Sequence, residues 1–248
     1  MHTYDSSFYK YINEGATKSA EIILPLITRH LSISSVVDFG CGQGAWLAAW
    51  SSQGATKVVG VDGPYVDQDS LLIEPSDFLS RDLTQSIDLK QKFDLVQSLE
   101  VAEHLPENVA PRFINSLTRH GDLILFSAAV PGQGGEDHIN EQTYEFWRLL
   151  FAENGYVPVD AIRPHVYENS SVMPWYRYNS ILYVKKTIID RMPDEFKNRV
   201  IGNDERILDV SPWLYKLRKR LLRLLPVSIY TLLATIKKNY FVFVKRTP

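Results

Sequence analysis

Three glycines at alternate positions, Gly40, Gly42 and Gly44, constrain the fold of this chain more than any other feature. They follow a short β-branched run that ends in Asp38, and an apolar segment begins near Ala45. Glycine at a strand-to-helix turn lets the backbone fold tightly and approach a ligand closely, while the first N–H groups of the helix remain free to bind it. The turn therefore predicts an α/β fold that binds a nucleotide-like cofactor.

The glycine turn alone leaves the identity of that cofactor open. Residues 40–45 also satisfy the dinucleotide fingerprint G-x-G-x-x-G/A, which expects an acidic residue about 20 positions further on. Asp62 meets that expectation as well. The motifs after the turn are therefore needed to tell a nicotinamide-dependent enzyme from other nucleotide-binding proteins.

The composition indicates a globular protein that can bury a full core. The chain has 248 residues, of which 45% are hydrophobic and 23% charged. Its single cysteine, Cys41, excludes an intramolecular disulfide and a metal site built from cysteines, and it fits a reducing compartment. The first residues show no secretory signal, and no apolar run reaches the ~18–20 residues that a membrane span needs. These features predict a cytoplasmic protein, at most peripheral to the inner face of the membrane.

Short apolar runs alternate with segments of helical periodicity, which is typical of a doubly wound α/β fold. Strands are predicted at 35–39, 57–61, 93–98, 121–127, 156–162 and 179–185. Helices are predicted at 14–31, 45–53, 107–118 and 142–154. The sequence divides into a helical lead-in at 1–33, a cofactor-binding domain at 34–187 and a helical, basic extension at 188–248.

Four motifs occur in the order found in the class I S-adenosylmethionine (SAM) dependent methyltransferases, which this chain resembles. Asp38 precedes the glycines, Asp62 ends the next strand, Asp82-Leu83 follows a third strand, and residues 98–105 read Ser-Leu-Glu-Val-Ala-Glu-His-Leu. The resemblance implies a Rossmann-like, seven-stranded sheet whose last strand is antiparallel, with SAM as the cofactor. It implies that SAM is bound by Asp38, Gly40, Cys41, Gly42, Gln43, Gly44, Asp62, Gly63, Asp82, Leu83, Ser98, Leu99 and Glu100.

Residues 4–184 also resemble a bacterial methyltransferase family that has no single assigned substrate. The shared marks are residues 98–105, residues 126–135, and the run His-Ile-Asn-Glu-Gln at 138–142. Members are often linked with surface-polysaccharide or natural-product pathways. The resemblance therefore implies a glycan or another small polar molecule as the methyl acceptor.

Two carboxylates and an imidazole are spaced to lie on one side of a helical turn. Glu100, Glu103 and His104 stand at i, i+3 and i+4, and His138 could supply a further ligand. Oxygen ligands suit Mg²⁺ and Mn²⁺, and an added imidazole favours Mn²⁺ or another transition metal. The pattern resembles that of small-RNA 2′-O-methyltransferases, where such residues hold a metal against neighbouring ribose hydroxyls. Glu100, Glu103, His104 and His138 are therefore candidate metal ligands.

A second interpretation of these residues needs no metal. His138 or His104 then acts as a general base that removes the proton of the accepting hydroxyl, with Glu100 beside the cofactor. In a third interpretation the histidines only shape their own segments. We predict O-methylation of a hydroxyl on a sugar, glycan or other small polar acceptor. The alternatives are a non-catalytic SAM- or nucleotide-binding module anchored by its tail, and an RNA ribose 2′-O-methyltransferase.

The end of the chain differs in charge from the rest of it. Nine of the 27 basic residues follow Asp209, whereas none of the 29 acidic residues does. Residues 213–225 have the pattern of a basic amphipathic helix, and a second apolar stretch follows. Such a helix can pack on its own domain, form a dimer contact, or lie at a membrane surface through residues 213–240. The acidic body makes nucleic acid an unlikely partner, and the oligomeric state is left open.

Overall fold

The computed structural model of the protein describes residues 6–224, and from residue 12 onward it describes their side chains as well. The predicted tail beyond residue 224 lies outside this range. In chain order the helices and strands are α1 (Ser6–Thr28), β1 (Ser35–Phe39), α2 (Ala45–Ser52), β2 (Lys57–Asp62), β3 (Phe78–Ser80), β4 (Leu95–Leu99), α3 (Ala110–His120), β5 (Leu123–Ser127), α4 (Tyr144–Glu153), β6 (Tyr156–Val159), α5 (Arg163–Val166), α6 (Pro174–Asn179), β7 (Ile181–Lys185), α7 (Asp194–Lys197) and α8 (Trp213–Leu222).

The seven strands form one sheet in the order β3-β2-β1-β4-β5-β7-β6. The first five pair in parallel, whereas β7 is antiparallel to both β5 and β6. The predicted Rossmann-like sheet with an antiparallel last strand is thereby confirmed. The strand order reverses between β1 and β4, and ligands of open α/β sheets bind at the carboxyl edge of such a switch point.

Helices cover both faces of the sheet, which explains why β4 and β5 are buried along their whole length and β1 is buried from its second residue onward. On one face α1 and α2 contribute to a core that includes Ile23, Leu24 and Trp50. On the other face α3 and α4 contribute Phe113 and Phe151. In α4 the first turn is capped by Thr143, whose hydroxyl accepts a hydrogen bond from the Phe146 N–H.

Several element boundaries differ from the predicted ones. The sixth strand ends at Val159 rather than residue 162, and the seventh begins at Ile181 because α6 occupies the positions up to Asn179. The extension after residue 187 is helical only in part, with a six-residue 3-10 helix, α7 and α8 separated by irregular segments. Within the described residues no helix is long and apolar enough to cross a bilayer.

The fully buried Tyr156 at the start of β6 makes a hydrogen-bond contact that joins this strand to the end of α3. Its hydroxyl lies 2.5 Å from the Gly121 carbonyl and 3.0 Å from that of Thr118. We expect Tyr156→Phe to lower the free energy of unfolding by about 1–2 kcal/mol, because buried carbonyls lose their donor. Urea unfolding would measure this, with Tyr167→Phe at a half-exposed site as control. Equal losses in both variants would contradict this role for the Tyr156 hydroxyl.

Candidate active site

The glycine turn between β1 and α2 has the backbone conformation that requires glycine. Gly40, Gly42 and Gly44 have φ values of 89°, 53° and 86°, in the left-handed region. A Cβ at Gly40 would lie 2.2 Å from Cγ2 of Val101, so this glycine allows the segment after β4 to pack against the turn. At Gly42 no atom of the described residues lies within 4 Å of the Cβ position. The turn is thus closed on one side and open on the other.

Asp62 at the end of β2 is buried, and protein donors surround its carboxylate. One oxygen accepts the Gly42 N–H at 2.7 Å; the other accepts the Gly63 N–H at 2.7 Å and the Tyr65 hydroxyl at 2.5 Å. Burial raises the pKa of Asp62, and these hydrogen bonds act in the opposite direction. Asp62 therefore fixes the glycine turn relative to β2, and the Tyr65 hydroxyl contacts its outer oxygen.

Asp38 at the end of β1 is buried with only one of its oxygens paired. The Gln97 amide donates to Oδ2 at 2.9 Å, and the Gln97 oxygen in turn accepts the indole N–H of Trp50 at 3.0 Å. Oδ1 has no hydrogen-bond partner among the described residues. Burial, reinforced by the charge of Asp62, raises the pKa of Asp38 to about 7. A carboxylate held in this way is stabilised by a cationic or hydrogen-bond-donating ligand.

The remaining predicted cofactor residues line the same carboxyl edge or support it. The Gln43 side chain accepts a hydrogen bond from Asn13 at 2.6 Å, which ties α1 to the turn. The Cys41 thiol is buried and its pKa is raised by that burial, so it is a packing residue and not a nucleophile. Ser98 has a buried hydroxyl without a partner among the described residues.

Asp82, Leu83 and Leu99 differ in exposure although they belong to the same predicted contact set. Leu83 and Leu99 are buried, whereas Asp82 is exposed after β3. Hydrogen bonds from the hydroxyl and N–H of Thr84 lower the pKa of Asp82. Asp82 is therefore ionised and accessible to a polar ligand group.

Glu100 does not share a helical turn with Glu103 and His104, as the spacing had predicted. It has a left-handed backbone, with φ 58°, and only Ala102–His104 form a 3-10 turn. Its carboxylate accepts hydrogen bonds from the side-chain amides of Gln133 at 2.7 Å and Asn179 at 3.2 Å. Burial raises the pKa of Glu100 despite these donors. The strained residue thus turns its side chain toward the loop after β5 and the end of α6.

Glu103, His104 and His138 form the metal-compatible cluster of the described residues. One ligand atom from each lies within 4.8 Å of the other two, and Glu100 is outside the group. Glu103 is fully buried, and neither of its carboxylate oxygens has a hydrogen-bond partner of normal geometry among the described residues. Burial and the nearby Glu100 raise its pKa well above the usual value, although the N–H groups of Glu103 and Ala129 act against this shift.

The two imidazoles of this cluster are oriented by oxygen atoms behind them. Their rings meet edge to face, with centroids 4.9 Å apart. His104 Nδ1 lies 3.3 Å from the Asp137 carbonyl, and His138 Nδ1 lies 2.9 Å from the Glu141 carboxylate. An Nδ1–H that donates to such an oxygen leaves Nε2 as a lone-pair ligand or base. Part of the His104 ring reaches solvent, yet the atoms packed around it, together with His138, lower its pKa to about 4.

Glu141 also fixes the loop that precedes His138. Its two carboxylate oxygens accept the N–H groups of Gly132 and Gly134, both at 2.7 Å. Gly135 leaves room for the imidazole, because a Cβ there would lie 2.1 Å from His138 Nε2. One carboxylate therefore sets both the course of this loop and the orientation of the His138 ring.

A family model described as a methyltransferase domain matches residues 11–163. That span is more than half of the chain. The chain belongs to this methyltransferase family. The predicted resemblance to the class I SAM-dependent methyltransferases is thereby confirmed, and with it SAM as the cofactor.

Solved methyltransferase structures share the fold at low sequence identity. KedS8, a sugar N-methyltransferase from Streptoalloteichus, is 14% identical with a TM-score of 0.55, over 75% of this chain and 96% of its own. DesVI from Streptomyces venezuelae is 12% identical with a TM-score of 0.52, over 74% and 100%. A putative O-methyltransferase from Nostoc punctiforme is 13% identical with a TM-score of 0.53, over 72% and 59%. No curated protein matches the sequence.

Sequence reasoning missed the partners that hold the candidate catalytic residues. The Gln133–Glu100–Asn179 contacts join three separate segments, and Asn179 further accepts the Tyr144 hydroxyl at 2.9 Å. No spacing in the sequence indicates this network, because the sheet topology brings its members together. For Glu141 the sequence does contain an indication, because this residue stands three positions after His138 in the run His-Ile-Asn-Glu-Gln.

The buried Asp38 leads to a pH-dependent stability prediction for the protein without cofactor. The pKa of about 7 in the folded protein is above the ordinary value of 3.8, so the folded state favours the neutral acid. Ionisation therefore destabilises the fold as pH rises between these values. We expect the free energy of unfolding of Asp38→Asn to rise relative to that of the parent over this pH range, by a few kcal/mol at most. Above about pH 7, the difference between the two proteins should stay constant. Urea unfolding of both proteins at about pH 5 and about pH 8 would test this. A pH-independent difference would contradict it.

Proposed function

We propose that this methyltransferase transfers the methyl group of SAM to a hydroxyl of a small polar acceptor, such as a sugar or glycan. We further propose that a divalent cation, Mg²⁺ or Mn²⁺, held by Glu103, His104 and His138 assists the transfer. One observation carries this proposal: the fully buried Glu103 carboxylate has no hydrogen-bond partner of normal geometry in the described part of the chain, and it lies beside two imidazoles. A buried acid in such surroundings is costly unless a cation compensates it.

The supporting groups of the two imidazoles fit a metal site. Ligating histidines usually donate the second ring N–H to a carboxylate or a carbonyl, which fixes the ring and increases its basicity. His138 has the Glu141 carboxylate in that position, and His104 has the Asp137 carbonyl. When bound, the cation would supply Lewis-acid activation of the acceptor hydroxyl. A hydroxyl needs such help more than an amine does, because it must lose its proton to become a good nucleophile.

The cofactor edge fits a ligand that carries positive charge. SAM supplies a methyl group on a sulfonium centre and has an ammonium group as well. Asp38 has an unpaired buried oxygen, and the turn is open at Gly42. Asp62 can accept a ribose hydroxyl on the oxygen that the Tyr65 hydroxyl now contacts. The packing of Val101 on Gly40 brings the Glu103 segment against this edge.

The protein's own groups then have separate tasks in the transfer. Asp62 and the glycine turn hold the cofactor, and Glu100 is fixed by Gln133 and Asn179 at the boundary with the acceptor side. His138 has its Nδ1 against the Glu141 carboxylate, which leaves Nε2 to accept the acceptor's proton when no cation is bound. Alignment of the nucleophile with the methyl carbon supplies most of the remaining rate enhancement.

Metal binding tests the first part of this proposal directly. In isothermal titration with Mn²⁺ or Mg²⁺ alone, we expect one site on the parent protein. Glu103→Gln should weaken it at least about tenfold, because the charged ligand is lost. The control is Glu107→Gln at an exposed position of the next turn. Equal isotherms for both variants, or no metal isotherm on the parent, would remove the cation from the proposal and leave His138 as the base.

Turnover tests the second part, with formation of S-adenosylhomocysteine as the readout. Sugars, glycosides and ribonucleosides are compared with their deoxy analogues as acceptors. We expect His138→Ala and Gly135→Ala to reduce kcat by at least about a hundredfold while the Kd for SAM stays within a factor of a few. In Gly135→Ala the new Cβ displaces the His138 ring. SAM binding without turnover on any acceptor would favour the non-catalytic module instead.

A further inference from the structure

The polar face of α8 is bound to the loop after β5. Arg218 donates to the Gln133 carbonyl at 2.9 Å, and Arg223 donates to the Pro131 carbonyl at 2.7 Å. Lys219 is buried in the same interface and pairs with Asp209 at 2.6 Å. At Gly132 the two backbones are so close that a Cβ would lie 2.2 Å from the Lys219 carbonyl. Three of the cations in this part of the chain, Arg218, Lys219 and Arg223, therefore bind groups of the domain.

The opposite face of α8 is apolar and exposed to solvent. Trp213, Leu217 and Leu221 follow one another at helical spacing, Leu214 lies beside them, and Leu224 comes two residues after the end of the helix. These five side chains are between 43% and 80% exposed. An ordinary surface helix buries its apolar stripe and exposes its charges. In α8 the apolar stripe is exposed instead, while Arg218 and Lys219 contact the domain, so the stripe is available to a partner outside the described residues.

Basic residues border this stripe on both sides. Lys216 and Arg220 lie along one edge and Arg218 along the other, because successive residues are about 100° apart around a helix. After Asp209 the sequence contains no further acidic residue. An apolar stripe between cationic edges is complementary to a surface that offers both acyl chains and negative charge.

We propose that α8 docks this methyltransferase on an anionic phospholipid surface, with the stripe Trp213, Leu214, Leu217, Leu221 and Leu224 inserted at the headgroup boundary. Interfacial helices bind by this combination of buried apolar area and attraction to anionic lipids. A second copy of the chain fits less well, since an isologous contact would set Lys216 and Arg220 against like charges. The chain after residue 224 adds four more cations and no acid, so it offers no complementary charge either.

Docking in this way has a consequence for the active site. The inner face of α8 touches Gln133, whose side-chain amide donates to Glu100. A helix with its side chains is about 10–12 Å across. The membrane surface would thus lie roughly one helix diameter from the loop that carries Gln133. This arrangement favours acceptors that are presented at the membrane.

The test is flotation of the full chain with vesicles of phosphatidylcholine alone and of phosphatidylcholine mixed with phosphatidylglycerol. The double variant Leu217→Glu/Leu221→Glu removes the centre of the stripe at exposed positions that tolerate a charge. The matched control is Leu72→Glu/Leu149→Glu, which replaces leucines of comparable exposure, 47% and 50%, elsewhere on the surface. Size-exclusion chromatography of all three proteins reports their oligomeric state.

We expect the parent and the control to float with the anionic vesicles, more weakly at high salt, and neither to float with the neutral ones. The Leu217→Glu/Leu221→Glu variant should lose at least about tenfold in partitioning. No flotation of the parent would overturn the proposal, as would equal flotation of the double variant or equal binding to neutral vesicles. A parent dimer that the double variant converts to a monomer would assign the stripe to a second copy instead.

Discussion

The parallel pairing of β1 with β4 is the contact on which the whole site depends. It brings two stretches that are about 60 positions apart in sequence to one edge of the sheet, and it aligns Asp38 with Gln97. From there the glycine turn and the Glu100–His104 segment leave the sheet side by side. They touch where Val101 packs on Gly40, a contact that any larger residue at position 40 would prevent. The cofactor turn and the candidate catalytic segment are therefore a single packed unit.

Four buried carboxyl groups lie at this edge of the sheet, and their pKa values and hydrogen bonds indicate which of them can bind ligands. Burial raises the pKa of Asp38, Asp62, Glu100 and Glu103 alike. Protein donors compensate Asp62 and Glu100. Among the described residues, one oxygen of Asp38 lacks a hydrogen-bond partner, and both oxygens of Glu103 lack one of normal geometry. Asp62 and Glu100 therefore also stabilise the local structure, and the unpaired oxygens of Asp38 and Glu103 are further positions that a ligand can use. Positively charged ligands at these two positions would stabilise the fold as well as enable the reaction.

The sequence predicted those parts of the site that depend on local pattern. The glycines, the strand-terminal acids Asp38 and Asp62, and the alternation of strands and helices are all short-range features, and they predicted the sheet and its cofactor edge. The left-handed conformation of Glu100 was not predictable, since the spacing Glu-x-x-Glu-His suits a helix. The position of the Glu100 side chain depends instead on its hydrogen bonds with Gln133 and Asn179, which lie 33 and 79 positions away in the sequence. The contacts of Arg218 and Arg223 likewise depend on carbonyls of a distant loop.

The loop from Pro131 to Gly135 is bound from both sides by groups of opposite charge. From the inside, the Glu141 carboxylate accepts the N–H groups of Gly132 and Gly134. From the outside, Arg218 and Arg223 donate to the carbonyls of Gln133 and Pro131. The carboxylate accepts from N–H groups and the guanidinium groups donate to carbonyls. Hydrogen bonds that include a charged group in this way are stronger than those between neutral groups.

Because the same Glu141 carboxylate orients His138, any displacement of α8 acts on the loop that also positions this imidazole. The loop thus connects the helix that carries the exposed apolar stripe with the ring proposed to act on the acceptor: Arg218 and Arg223 bind its outer side, and Glu141 binds both its inner side and His138. A partner that holds α8 in place would narrow the range of positions available to the loop. For this reason we expect the binding of a partner to α8 to be coupled to the binding of ligands at the carboxyl edge of the sheet. Such a coupling is reciprocal: each binding event changes the affinity of the other by the same factor.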